Sequence, residues 1–423
     1  MKNKLAHGFL IILINIVPCL IFGQESISEK NFVKMGVSQI NITPEIPILM
    51  SGYDARKTPF TGVHDELYAS ALYFSDGKNK ILIITSDLIG FSFVFIDDLK
   101  KMISLKIDIP VENIMISAVH NHGGPVIKTY ENDTPQSVDD YIKVLKEKLT
   151  SLAVDASKNI VPFRMGTGKG SCNMNINRRA EFANGSIGLG RNPDGPCDHE
   201  LVVAKFEDLN NKLLAVLVNW PCHGTTSGQD NYQITGDWPG ATARYIKNQS
   251  GKEVVVAITA GASADINPIY GPGKNFKEIE AVGFHVGVEA GKALLQTVTF
   301  PVKNIQAINA TMTFPGKKGG KSDFPQTSYE SGPDSEIRLT VLKIGDLVLS
   351  GISGELMTEI GIEIKNQSPY SGTIIVTHCN GSSGYICTDK AFSEGGYEVR
   401  VTELMPGVEK PLTHKFLEMI HTF

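Results

Sequence analysis

The sequence predicts a mixed α/β fold in which β-sheet layers are flanked by helices, and two observations point there. Short apolar runs of strand length alternate with longer segments whose apolar residues recur at helical spacing. Several of the strands also end in small and polar residues that include a histidine, as in Ser117-Ala118-Val119-His120-Asn121-His122-Gly123-Gly124-Pro125. In α/β folds ligands gather at the carboxyl ends of strands, so these ends outline a cleft.

Residues 35–44 alternate and are closed by Pro44, which reads as a strand, and a turn follows at Ser51-Gly52-Tyr53. Residues 67–74 and 81–85 read as a strand pair joined across 75–78, with Asp87 just beyond. Residues 95–105 have helical spacing, and Ile109-Pro110 returns the chain to the apolar strand 114–119. Val138, Ile142, Leu145, Leu149 and Leu152 then form one helical stripe, with Thr134 as N-cap and Pro135 in the first turn. The glycine-rich stretch 184–195 lacks the strand and helix context of a phosphate cradle and reads as a loop. Asn177-Arg178, just before it, is placed to aim a guanidinium at an anion or carbonyl.

Residues 213–219 form a second buried strand, leading into Trp220-Pro221-Cys222-His223-Gly224. Asp237 caps a helix reaching about Lys247, and the short strand 254–258 ends in the small and polar residues 259–268. The helix from Phe276 to about Leu295 carries His285 as a core or boundary residue. Residues 339–344 and 347–352 read as a hairpin around Gly345-Asp346 that empties into Ser353-Gly354-Glu355, with 358–365 helical behind it. The last strong strand, 373–377, opens into His378-Cys379-Asn380 and continues to Tyr385. No internal repeat or long linker divides the chain, so one mature domain is expected.

With 42% hydrophobic and 20% charged residues, 423 residues suffice for a large globular core. A net charge of -5 and the absence of Lys/Arg runs argue against nucleic acid as a partner. Lys2 and Lys4 precede a mostly apolar run, 9–22, and Gly23, the layout of a secretory signal peptide over residues 1–23, followed by a short segment, 24–33. The run is short and broken by Asn15 and Pro18, which favours cleavage over anchoring. An exported protein, periplasmic or secreted and without a membrane span, is the expectation. Cleavage leaves Cys172, Cys197, Cys222, Cys379 and Cys387, enough for at most two disulfides.

His120, His122, His223, Asn267, Glu355 and Tyr385 all fall just past the ends of short apolar strands. Side chains two apart on a strand share a face, so His120 and His122 can look into one cleft, one as a ligand and the other as an acid/base or supporting group. Imidazoles and a carboxylate suit Zn²⁺, which keeps an open position for water in catalytic sites. Zinc lowers the pKa of bound water to about 7, giving hydroxide for attack on a carbonyl. Arg178 or a tyrosine would then stabilise the oxyanion.

The ordered set Ser-Ala-Val-His-Asn-His-Gly-Gly-Pro, Asn175-Ile176-Asn177-Arg178, Asp198-x-Glu200, Pro221-Cys222-His223, Gly236-Asp237, Asp265-Ile266-Asn267-Pro268, Gly354-Glu355 and Tyr385-x-x-Thr388 resembles the neutral ceramidase family. The resemblance implies a zinc hydrolase domain over 34–423, without the family's C-terminal immunoglobulin-like domain. It also implies one zinc ion per chain, held by His120, His223, Glu355 and Tyr385. His122 would act as acid/base or hydrogen-bond partner, while Arg178 and Tyr397 hold the substrate carbonyl or oxyanion. Asn267 stands where the family has serine; its amide still hydrogen-bonds but it is no nucleophile. The implied reaction is hydrolysis of an N-acyl amide, of ceramide or a related N-acyl lipid. The alternatives are another amide or ester, such as an acylated sugar or amino acid, and a non-catalytic pocket protein.

Overall fold

The computed structural model describes residues 32–127, 134–320 and 322–423, which belong to one compact unit, Phe32–Phe423. The proposed signal peptide and most of the segment behind it lie outside the described residues. The alternation of the sequence becomes layers. In spatial order the large sheet runs Val255–Ala260, Leu213–Trp220, Glu200–Asp208, Val161–Ser171, Lys34–Asn41, Tyr68–Ser75, Lys80–Ser86, Ile114–Ala118. Its two ends are parallel pairs and its middle is antiparallel. A smaller sheet is ordered Ile305–Lys317, Ser331–Ile344, Leu347–Ile352, Gly372–Val376.

The period of two along each strand decides which layer each residue joins. Leu72, Phe74, Ile83 and Leu217 face the smaller sheet and pack with Leu342, Leu349, Ile374 and Val376. Their neighbours Ala71, Leu82 and Ile84 face the opposite way, onto helices α1 (Phe93–Ile107) and α2 (Gln136–Ser157). Val203, Val216 and Val218 likewise meet α3 (Asp237–Ser250) and α4 (Phe276–Gln296). The outer face of the smaller sheet is covered by α5 (Thr358–Gln367) and, beyond the short helices α6 (Asp389–Glu394) and α7 (Tyr397–Val401), by α8 (Glu409–His421). The strand Ile114–Ala118 is buried on both faces, which is why its sequence is a continuous apolar run rather than an alternating one.

Four local expectations are corrected. Pro135, not Thr134, occupies the N-cap position of α2, because its ψ of 138° is extended while its carbonyl accepts from Val138 N and Asp139 N. Gly236 precedes α3, and Asp237 is its first residue, where its carboxylate accepts from Trp238 N and also from Thr226 N and Ser227 N of a neighbouring loop. The glycine-rich stretch forms a strand, Ile187–Asn192, paired antiparallel with Asn175–Glu181, so Arg178 lies on a strand and not in a loop. His285 is exposed, beside Phe284 on the outer side of α4. All five described cysteines are free thiols.

One amide that joins the two sheets lies beside the strand that ends at His120. Asn380, fully buried, accepts from Ile116 N at 3.0 Å and donates to Ile114 O at 3.2 Å and Thr340 Oγ1 at 3.0 Å. Asn380→Ala leaves Ile116 N and Ile114 O without this partner in the core, and each buried group left without a partner costs about 1–3 kcal/mol. The expected outcome is a loss of roughly 3 kcal/mol in denaturant unfolding at an unchanged m value; a loss below about 0.5 kcal/mol, the range of ordinary surface substitutions, would contradict this seam.

Candidate metal centre

Three strand ends deliver the central side chains. His120 follows Ile114–Ala118 and His223 follows Leu213–Trp220, while Glu355 opens a short strand, Glu355–Leu356, after Leu347–Ile352. His120 takes a left-handed backbone (φ 58°), uncommon for a residue with a side chain and found where surrounding structure enforces it. The loops behind His120 and His223 touch directly. A Cβ at Gly224 would stand 2.9 Å from His120 O and from Asn121 Cα, so glycine is required there. Asn121 locks the same loop, donating to Asp87 O at 3.0 Å and Thr235 O at 2.8 Å.

The ring nitrogens of these histidines are not equivalent. His120 Nδ1 donates to Ile89 O at 2.8 Å, and His223 Nδ1 donates to Ser263 O at 2.7 Å. A carbonyl acceptor fixes the proton on Nδ1 and leaves a lone pair on Nε2, the usual outer arrangement around a metal-bound imidazole. Both Nε2 atoms face Glu355 Oε2, at 3.4 Å and 3.3 Å. That oxygen is buried and has no hydrogen-bond partner. His122 Nε2 lies 3.1 Å from His120 Nε2. Zinc bonds of 2.0–2.1 Å in a tetrahedron imply ligand-to-ligand edges of about 3.3 Å. The donor set and its spacing therefore fit a zinc ion among His120, His223 and Glu355. His122 completes the cluster: facing the His120 Nε2 lone pair, its own Nε2 carries the proton, and its Nδ1 is buried without a partner.

Arg178 is the hub of the other side. The strand Asn175–Glu181 pairs with Ile266–Pro268, which sets Arg178 beside Asn267. Its Nη1 lies 3.1 Å from His223 Nε2 and 3.4 Å from Asn267 Oδ1, and its Nη2 donates to Tyr385 Oη at 3.2 Å. Its Nε is held at 2.8 Å by Glu398 Oε1, while Arg179 Nη1 takes Glu398 Oε2 at 2.9 Å. Burial opposes the Arg178 charge, but Tyr385, Glu398 and Glu355 more than offset it and hold the guanidinium protonated. Burial and then Glu355 push the Tyr385 phenol well above its usual value. Burial, reinforced by neighbouring positive groups, holds His122 and His223 well below the ordinary histidine range, so both imidazoles are neutral. Tyr397 begins α7 and meets the Tyr385 ring edge-on at 5.8 Å.

All eight residues singled out from the sequence thus gather in one region. Three others were not anticipated. Glu398 neutralises two buried arginines; the adjacent Arg178-Arg179 pair was the signal that a carboxylate must lie nearby. Arg56, 5% exposed, donates to His122 O at 2.6 Å, Ser51 O at 3.0 Å and Gly228 O at 2.9 Å, tying three loops around the centre. His378 stacks on His120, and its position at a strand end was the same signal that marked His120 and His223. A cavity of about 660 Å³ opens beside His120, Glu355 and His378, with Leu49, Phe91 and Ile127 on its apolar side.

Residues 33–274 match the family model described as neutral/alkaline non-lysosomal ceramidase, N-terminal. The chain belongs to this ceramidase family. Among curated relatives it is 26% identical over 263 residues to the neutral ceramidase of Drosophila pseudoobscura pseudoobscura, covering 56% of this chain and 36% of that protein. It is 24% identical over 256 residues to the neutral ceramidase of Pseudomonas aeruginosa, covering 55% and 36%. The matches thus span about a third of the relatives' length. The fold is that of solved ceramidases: a ceramidase complexed with C2 superposes with a TM-score of 0.78 at 16% identity, over 92% of this chain and 75% of that one. The Pseudomonas aeruginosa neutral ceramidase gives 0.77 at 17% identity, over 92% and 74%.

Behind the centre, Asp265 accepts from Thr358 N at 2.9 Å and Asn177 Nδ2 at 3.0 Å, and burial pushes its carboxyl up from 3.8 to about 6. The folded state then holds a proton that the unfolded chain releases, so this residue's contribution to stability falls as pH rises from about 4 to 6. Comparing denaturant unfolding of the wild type and Asp265→Asn across that window should show the wild type losing stability relative to the variant. A constant difference between the two would contradict the raised value.

Proposed function

We propose that the chain is an exported, zinc-dependent amidohydrolase that cleaves the N-acyl bond of ceramide or a related N-acyl lipid, with residues 34–423 as its catalytic domain. The observation that carries this reading is the convergence of two carbonyl-fixed imidazoles on a carboxylate oxygen with no donor of its own, at the wall of a partly apolar cavity. Family membership supports the substrate class. Among the described residues no helix is long and apolar enough to cross a membrane.

His120, His223 and Glu355, with Tyr385 alongside, would hold one zinc ion, which supplies Lewis acidity that polarises a carbonyl and lowers the pKa of water. The chain's own groups do the rest. Arg178, fixed by Glu398, presents its guanidinium edge to the oxygen on which charge develops. Asn267 Oδ1 already faces Arg178 and Thr225 Oγ1, which leaves its amide N–H groups to donate to the same oxygen. Asn267 cannot attack, so the nucleophile is water. His122, neutral because of its burial, takes the water's proton and returns it to the leaving nitrogen. Tyr397 closes the far side of the guanidinium, 5.9 Å from its carbon. Asp54 and Lys57 at the cavity favour a second reading, an acyl amide or ester of a polar group such as a sugar or amino acid.

The test is hydrolysis of a short-chain fluorescent ceramide beside a panel of acylated sugars and amino acids bearing the same acyl chain. Chelation should abolish turnover and zinc should restore it. Arg178→Ala should lower kcat by roughly 10²–10³, the scale of a lost oxyanion donor. Glu355→Ala should remain folded and be inactive. Turnover indifferent to chelation would sink the metal reading, and activity confined to the polar acyl compounds would move the substrate to the second one.

A further inference from the structure

His378 stands at the end of Gly372–Val376 as His120 stands at the end of Ile114–Ala118, and both turn through a left-handed backbone, φ 51° and 58°. The two strand ends are joined, since Ala118 N donates to His378 O at 3.3 Å. Their imidazoles consequently stack, with centroids 3.9 Å apart and planes within 12°. Stacked rings carry their lone pairs side by side rather than toward a common point. A cation held by His120 therefore leaves the His378 nitrogen facing a separate position.

That position has a second donor. One ring nitrogen of His378, one of His120 and an oxygen of Glu355 lie within 4.8 Å of one another. His378 is only 7% exposed, lines the cavity, and its ring takes part in no hydrogen bond with any described residue. An imidazole that opens on a cavity beside a carboxylate oxygen with no partner of its own is open to a ligand.

We propose that His378 and Glu355 form a second position for a divalent transition-metal cation, beside the centre of His120, His223 and Glu355. The proposal rests on the metal reading of the His120, His223 and Glu355 centre. An imidazole and a carboxylate suit zinc, cobalt, nickel or manganese rather than calcium or magnesium. Two protein donors leave the remaining coordination positions to water or to the polar end of a ligand in the cavity. The second ion is thus held more weakly and exchanges more readily than the first.

The experiment is calorimetric titration of the metal-stripped full chain with zinc, read together with elemental analysis of the protein at saturation. The expected result is two equivalents, the second weaker, falling to one in His378→Phe. The phenyl ring keeps the stacking on His120 but offers no donor; His378→Ala serves as a second variant, and far-ultraviolet melting confirms that each is folded. One equivalent in the wild type would overturn the second position and leave the first intact. No bound zinc would overturn both readings. Two equivalents that survive both substitutions would place the second ion elsewhere and overturn the assignment.

Discussion

Two hydrogen bonds, from His120 Nδ1 to Ile89 O and from His223 Nδ1 to Ser263 O, are the constraint on which the centre depends. They commit both imidazoles to presenting a lone pair at Nε2, and both lone pairs face an oxygen of Glu355 that also offers only lone pairs. Glu355 Oε2 has no donor and faces two lone pairs, of which the His223 one is met by Arg178 Nη1 at 3.1 Å, so this buried convergence of acceptors is left undersatisfied. The left-handed turn at His120, the glycine at 224 and the amide clamp of Asn121 all serve to hold that unfavourable convergence in place. Strain of this kind is characteristic of sites built for a ligand.

Arg178 extends the same logic to the C-terminal part of the chain. A guanidinium this deeply buried needs a carboxylate, and Glu398, 220 residues away in sequence, supplies one while also pairing with Arg179. Removing one partner of a buried pair is far costlier than the net worth of the pair, so α7 is bound to the hairpin strand Asn175–Glu181. Tyr385 and Tyr397 are brought to Arg178 by this linkage, which makes the last short helices part of the site rather than a trailing segment.

The strands carrying the histidines were legible because a strand buried on both faces must be a continuous apolar run, and the helices because their stripes recur at 3.6 residues. The hairpin 175–192 was not legible. Its glycines read as loop, yet they are there for close packing: a Cβ at Gly188 would meet the Phe182 ring at 2.4 Å, and one at Gly190 would meet Ala180 Cβ at 2.6 Å. That misreading hid the burial of Arg178. His285 went wrong in the opposite sense, since its apolar neighbours Val282 and Val286 face the core while it points outward from the same helix. Of the site, the residues at strand ends were visible in the sequence. Glu398 and Arg56 were not, because they act through contacts that only the tertiary fold creates.

The most direct measurement of the central claim is anomalous diffraction at the zinc edge from crystals of the protein grown with zinc. The account expects the strongest peak at about 2.0–2.2 Å from His120 Nε2, His223 Nε2 and a Glu355 oxygen. A peak elsewhere, or electron density showing these three groups turned apart with none between them, would contradict it.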